Sequence, residues 1–437
     1  MNLVLPSTNS DPNAARIASE RQSQRVVTAF VVSGILFMLL PGTFLGVWNL
    51  LSISEAHQPS SIPQAWLQAH GQAQIFGWIG SFIIGIGFYS LTKMKSSRGF
   101  PALAGWASWS LWTCGVLLRW LAGVTGDEWR ILLPLSGVLQ LLGYLFFFTS
   151  VRRHRSPGTG KPEAWMRLVF AATIVFLLTL VANCSLLFWQ VLHTDSLALP
   201  HVLDQQFVVL AVWGILVPTI WGFNSRWLPI FAGLEQPNVL SLYLAYGLSI
   251  VGIVTTFFQL LPIAEVAFLF AALLAAEGLH VWKRSVNPPK LINVHRSFAW
   301  FVRLTYVWLL ISCILAMLAV IWDTSGGLWG ASRHALTVGF VAGMVFAIGQ
   351  RVLPAFCGMR VLWSKQLMFW SLFLLFAGCT LRVLAESLAY GNIWPFAWKI
   401  LPVSAITELT AVSLFALNIG VTLLRPPAHL RVPAATQ

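Results

Sequence analysis

The chain has 437 residues, of which 57% are hydrophobic and only 9% charged, with a net charge of +13. A mean hydropathy of +0.76 excludes an ordinary water-soluble domain, where roughly 25% of residues are charged, and points to an integral membrane protein. The basic excess collects on one side of the predicted spans, so it is a topology signal rather than the footprint of nucleic-acid binding.

A helix needs about 20 apolar residues to cross a bilayer. Twelve stretches meet that need in chain order, at 26–50, 65–91, 101–122, 131–151, 166–192, 201–222, 239–261, 263–283, 298–322, 333–353, 366–388 and 394–424. The predicted fold class is therefore all-α, a polytopic membrane protein of about twelve transmembrane helices. Residues 1–25 hold Asp11, Arg16, Glu20, Arg21 and Arg25 with no apolar core of their own. They read as a cytoplasmic tail without a cleavable signal peptide. The membrane domain is 26–424, and 425–437 form a second cytoplasmic tail. Hydropathy divides the chain least clearly at Leu261 and Pro262, between the seventh and eighth stretches, and at Pro402 in the twelfth.

With the N-terminus inside, 22 of the 27 basic residues fall on the inner side, among them Lys93, Lys95, Arg98, Arg152, Arg153, Arg155, Lys161, Arg167, Lys283, Arg284, Lys290 and Arg296. Arg119, Arg130, Arg333, Arg382 and Lys399 remain outside. The cysteines at 114, 184, 313, 357 and 379 are scattered and suggest neither a disulfide framework nor a zinc ribbon. Many of the 22 tryptophans sit near predicted helix ends, as an interfacial belt requires.

The second, sixth and tenth stretches each begin near a histidine, His70, His201 and His334, separated by 131 and 133 residues. That spacing implies three pseudo-repeats of four helices, with a metal-capable imidazole at one outer depth in each. A polar side chain in a membrane is costly and commonly kept for function, although each histidine alone reads equally well as an interfacial cap. A second trace of repetition pairs Arg226-Trp-Leu-Pro-Ile-Phe-Ala-Gly-Leu234 with Arg351-Val-Leu-Pro-Ala-Phe-Cys-Gly-Met359. At 100° per residue His70 shares a face with Gly77 and Ser81, a strip open to a flat ligand or to another helix. His334 lies in line with Val338, Val341, Val345 and Val352, while Gly339, Gly343 and Ala347 form a small stripe on the other side. His201 is followed by Asp204 and Gln205, which give it a wetter setting.

The segment Ala69-His-Gly-Gln-Ala-Gln-Ile-Phe-Gly-Trp78, the start His334-Ala-Leu-Thr-Val-Gly339 and the Arg-x-Leu-Pro-x-Phe ends resemble the NnrS family of bacterial membrane proteins. More distantly, twelve helices with histidines on the second, sixth and tenth are similar to subunit I of the haem-copper oxidases. The first resemblance implies an inner-membrane protein of the nitric oxide or nitrosative stress response that carries haem, of b-type, and possible copper. The second implies haem between His70 and His334, and a copper ligand at His201. Arg119, Arg333 and Arg382 would then meet the haem propionates, or else pair with carboxylates, as the i, i+4 spacing of Arg382 and Glu386 allows. Glu408 and Glu265 are read as buried carboxylates, protonated or serving a proton path.

Departures from the oxidase pattern matter as well. Residues 239–261 contain no histidine, Arg333 precedes a single histidine, and position 72 is Gln. An oxygen-reducing centre is therefore not expected. Enzyme activity, substrate and protein partners stay open, and the other classes weighed are a small-molecule transporter and a cofactor-free structural membrane protein. Glu277 and His280 form an E-x-x-H spacing followed by Lys283 and Arg284, which reads as a solvated inner helix end.

Overall fold

A computed structural model describes residues 12–92, 101–153 and 163–426. The basic positions Lys93, Lys95, Arg98, Arg155 and Lys161, and residues 1–11 and 427–437 of the two tails, lie outside the described residues. The described residues contain helices and no strands. We number the long helices α1 (Glu20–Ala56), α2 (Gln64–Ser90), α3 (Ala102–Thr125), α4 (Trp129–Arg153), α5 (Ala164–His193), α6 (His201–Phe231), α7 (Val239–Phe257), α8 (Leu261–Gly278), α9 (Phe298–Trp322), α10 (Gly327–Phe356), α11 (Lys365–Tyr390) and α12 (Ala397–Leu424). Eleven are long and apolar enough to span a membrane. The other, α3, is diluted by four tryptophans and Arg119. The chain is thus a multi-pass all-helical membrane protein, its outward faces set against lipid.

The two weakly marked boundaries have local explanations. The chain reverses between α7 and α8 through Gln259, whose φ is +58°, and Pro262 sits in the first turn of α8, where its missing N–H costs no helical hydrogen bond. Pro402 is absorbed within a continuous α12. The paired Arg-x-Leu-Pro-x-Phe segments end α6 and α10 alike. Pro229 and Pro354 lie in the last turns, and Gly233 (φ +67°) and Gly358 (φ +117°) take the left-handed conformation that closes each helix.

Helices α3–α4, α7–α8 and α11–α12 form tight antiparallel hairpins, and α1–α2, α5–α6 and α9–α10 pair beside them. Further contacts join α4 to α5, α8 to α9 and α12 back to α1, closing the three units into a ring. Each hairpin is locked by a glycine at the same place. A β-carbon on Gly115 would stand 2.8 Å from the Gln140 backbone nitrogen, on Gly252 2.5 Å from the Phe268 ring, and on Gly378 2.6 Å from Glu408 Cγ. Four residues beyond each glycine stand Arg119, Thr256 and Arg382, a further mark of the repeat.

Helices α6 and α10 are the most deeply buried, and with α2 they line the middle of the ring. Away from the histidines, Ile79, Phe82, Leu216, Asn224, Met344 and Val345 surround a nearly apolar cavity of about 80 Å³ between these three helices. All three helices, and α1, pass through a wider π-helical stretch: Met38–Phe44, Ala73–Gly80, Val212–Leu216 and Ala335–Ala342. Each stretch holds a glycine pressed against a neighbour: Gly42 on Gln74, Gly77 on Phe37, Gly214 on Val175 and Gly339 on Trp308. The small strips beside His70 and His334 are therefore helix-packing surfaces. Ser81 joins them by donating to the Gly77 carbonyl at 2.6 Å and accepting from Trp112 Nε1 at 3.0 Å.

Candidate functional site

His70 stands seven residues into α2, and its ring lies against Gly46 of α1. A β-carbon on Gly46 would be 2.6 Å from Cε1 and 2.8 Å from Nδ1. Its Nδ1 is 2.8 Å from the Gly42 carbonyl. A carbonyl oxygen only accepts, so Nδ1 carries the hydrogen and Nε2 keeps its lone pair free.

His334, at the end of the first α-helical segment of α10, is arranged in the same sense. Its Nδ1 is 3.0 Å from the Gly330 carbonyl, one turn back, and 3.2 Å from Glu386 Oε2 on α11. Both neighbours are acceptors, so Nε2 is again the free nitrogen. His70 lies within electrostatic reach of His334 and Arg382, so the structure brings the two histidines of α2 and α10 into one layer.

Arg382 and Glu386 complete that layer, 7% and 3% exposed respectively. Nη2 of Arg382 donates to Glu386 Oε1 at 3.4 Å, and Nε lies 3.2 Å from Oε2 but out of line for a hydrogen bond. Nε and Nη1 of Arg382 are left with no hydrogen-bond partner, as is Oε1 of Glu408 on α12. Glu408 acts electrostatically together with His334, Arg382 and Glu386. Glu386 fits here because Gly330 has no side chain, since a β-carbon there would overlap its carboxylate. Toward the helix ends, Trp398 is stacked between His57 and Tyr390, each ring 5.3 Å away. A small apolar cluster of Val47, Leu50, Ile53, Ala385, Ala389 and Leu401 surrounds that stack and shields the layer from water.

The other expected site residues gather elsewhere. His201 is the first residue of α6 and is exposed, with Gln205 Nε2 2.6 Å from its Nε2. It begins its helix, whereas His70 and His334 stand six or seven residues into theirs. Gln68, two residues before His70, is bonded through its side-chain amide to the backbone N–H and carbonyl of Leu199, two residues before His201, at 2.9 Å each. Arg119, Arg333 and His201 all bear on Asp204 of α6, Arg333 bears on Glu386 as well, and Arg382 lies against Glu386 beside the histidine pair. Among the described residues no three His, Cys, Asp or Glu side chains converge as a metal cluster. At the opposite end, Lys283 lies 3.8 Å from Glu277 and 3.9 Å from Glu235, and His280 lies 3.8 Å from Glu235, consistent with the E-x-x-H pair as a solvated helix end.

The sequence reading singled out His70, His334 and Arg382 but gave no weight to Gly42, Gly46 and Gly330. Their role is to admit an imidazole or carboxylate from a neighbouring helix, which no spacing within one helix reveals.

No curated protein shows significant similarity to the chain. Among solved structures it is similar to a haem-copper terminal oxidase dimer studied by cryo-electron microscopy. That match has a TM-score of 0.66 and 13% identity, and it covers 93% of this chain and 85% of that one. At this identity the likeness is one of fold. The family described as NnrS protein matches residues 28–426, nearly the whole chain, and the protein therefore belongs to the NnrS family.

Proposed function

We propose that this protein holds a haem between His70 and His334 and serves the nitric oxide or nitrosative stress response at the bacterial inner membrane, with both termini in the cytoplasm. The observation that carries the reading is that both imidazoles are tied at Nδ1 to fixed acceptors and leave Nε2 free. That is the state a neutral histidine needs in order to ligate a metal. The two orphaned nitrogens of Arg382 suit a propionate. No C-x-x-C-H segment occurs in the sequence, so attachment would be non-covalent, as in a b-type haem.

Bound there, haem would be held by His70 and His334 and would supply one-electron redox chemistry. The chain's part is to hold both rings in fixed tautomers, set a carboxylate behind His334, present Arg382 and exclude water. Copper, the second metal implied by resemblance, would find His201 and Asp204 at the rim. The inner-membrane orientation is supported by the 22 basic residues on the inner side.

The test is the absorption spectrum of the purified protein and three variants. His70→Ala and His334→Ala are expected to lose most of the Soret band while remaining in the membrane. His201→Ala is expected to keep it. Equal haem retention in all three would overturn the assignment.

A further inference from the structure

Glu265 is a buried charge that the haem reading does not use. It lies in the first turns of α8, is 8% exposed, and has no hydrogen bond or ion pair among the described residues. It borders a cavity of about 90 Å³ between α6, α8, α9 and α10. Trp213 and Phe268, stacked at 4.4 Å, contribute apolar wall. Beside Glu265, the polar lining includes Gln205, Ser312, Cys313, Ser332, Arg333 and Thr337.

The hydroxyls of Ser312 and Thr337 donate to carbonyls of their own helices, at 2.7 Å each, so their oxygens face the cavity as acceptors. Gln205 and Arg333 are partly exposed and form the rim at the histidine end. A carboxylate out of contact with water or a partner costs several kcal/mol, so this one must be hydrated or protonated. At about 30 Å³ per water the space takes roughly three molecules, and the polar side chains supply the partners such waters need.

We propose that this cavity is a hydrated chamber in which Glu265 exchanges protons with the histidine-end surface, through water passing Thr337, Gln205 and Arg333. The step is a bare proton transfer: a proton from the water chain forms an O–H bond at the Glu265 carboxylate, and the same proton leaves by the reverse route. A proton is relayed along hydrogen-bonded water past Arg333 at the rim. The titratable or charged groups facing the chamber with Glu265 are Cys313 of α9 and Arg333 of α10; Asp204 of α6 bears on Arg333 and His201 from outside the lining, and α7, packed along α8, carries Tyr243 and Tyr246.

Infrared difference spectroscopy on the full-length protein in lipid nanodiscs tests this. A carboxylic acid C=O band is expected in the wild type, changing in intensity with bulk pH and absent from Glu265→Gln, with haem content equal in both proteins. A band that stays constant with pH, or that persists in Glu265→Gln, would overturn the proposal. Cys313 gives a second measurement on the wild-type chain. Its S–H stretching band should shift on transfer to deuterated water as the thiol exchanges with chamber water, and Thr337→Phe should slow that exchange several-fold, whereas exchange indifferent to the plug would rule out the proposed route.

Discussion

Gly46 of α1 and His70 of α2 touch so closely that the glycine's missing side chain is the seat of the imidazole. A β-carbon at Gly46 would stand 2.6 Å from Cε1 of His70. Gly46→Ala should therefore push the ring off its bond to Gly42, lower haem content per protein and destabilise the fold by about 1–3 kcal/mol, the usual cost of overpacking. Gly71, one residue from His70, has open space where a β-carbon would go. Gly71→Ala should leave both quantities unchanged, and equal effects of the two substitutions on the Soret band would argue against the contact.

Glu386 lies against both His334 and Arg382. Removing its charge takes away the carboxylate in contact with the buried Arg382, so Glu386→Gln should cost about 3–5 kcal/mol of stability. Any haem retained should show a higher midpoint potential, because a carboxylate on Nδ1 makes the axial imidazole a stronger donor. Redox titration of the variant reads this directly, and an unchanged potential would separate Glu386 from the ligand.

The hairpin glycines should differ in what they tolerate. On Gly115 a new β-carbon meets the backbone nitrogen of Gln140, whereas on Gly252 it meets the end of a Phe268 side chain that can turn aside. Gly115→Ala is therefore expected to lower the Tm more than Gly252→Ala, with roughly 1–3 kcal/mol for the former.

Asp323, between α9 and α10, accepts backbone N–H bonds from Trp329 at 2.8 Å, Gly326 at 2.8 Å and Ser325 at 3.0 Å. Partial burial raises its pKa, but these bonds outweigh burial and hold the carboxyl below its ordinary value. A lowered folded value means that its contribution is complete above about 3.9, the unfolded value, and is lost as pH falls through the folded one. Asp323→Ala should lower the Tm near neutrality and have progressively less effect in acid. A deficit equally large at low pH would assign the loss to something other than the charge.

Hydropathy alone made the twelve helices legible, because membrane crossing is a matter of length and apolarity. The repeated histidines and Arg-x-Leu-Pro-x-Phe ends made the three units legible. The helix starts were not recoverable, since they are poorly marked in the sequence: α6 begins at its histidine while α2 and α10 begin about two turns before theirs. Face assignments at 100° per residue lose register across Ala73–Gly80 and Ala335–Ala342, where the turn widens just after the histidines. The convergence of Arg119 and Arg333 on Asp204 depends on how the ring closes, and no single helix encodes that.

That closure also orders biogenesis. The histidine layer is built from the two earliest helices and the three latest, with His70 near the start of the chain and His334, Arg382, Glu386 and Glu408 in its last quarter. During synthesis His70 must wait in the membrane beside Gly46 until α12 has been delivered and has docked against α1. The pocket thus depends on late helices: a nascent chain arrested before α11 can insert ten helices and still lack the site, and any cofactor seated there would enter only once α11 and α12 are in place.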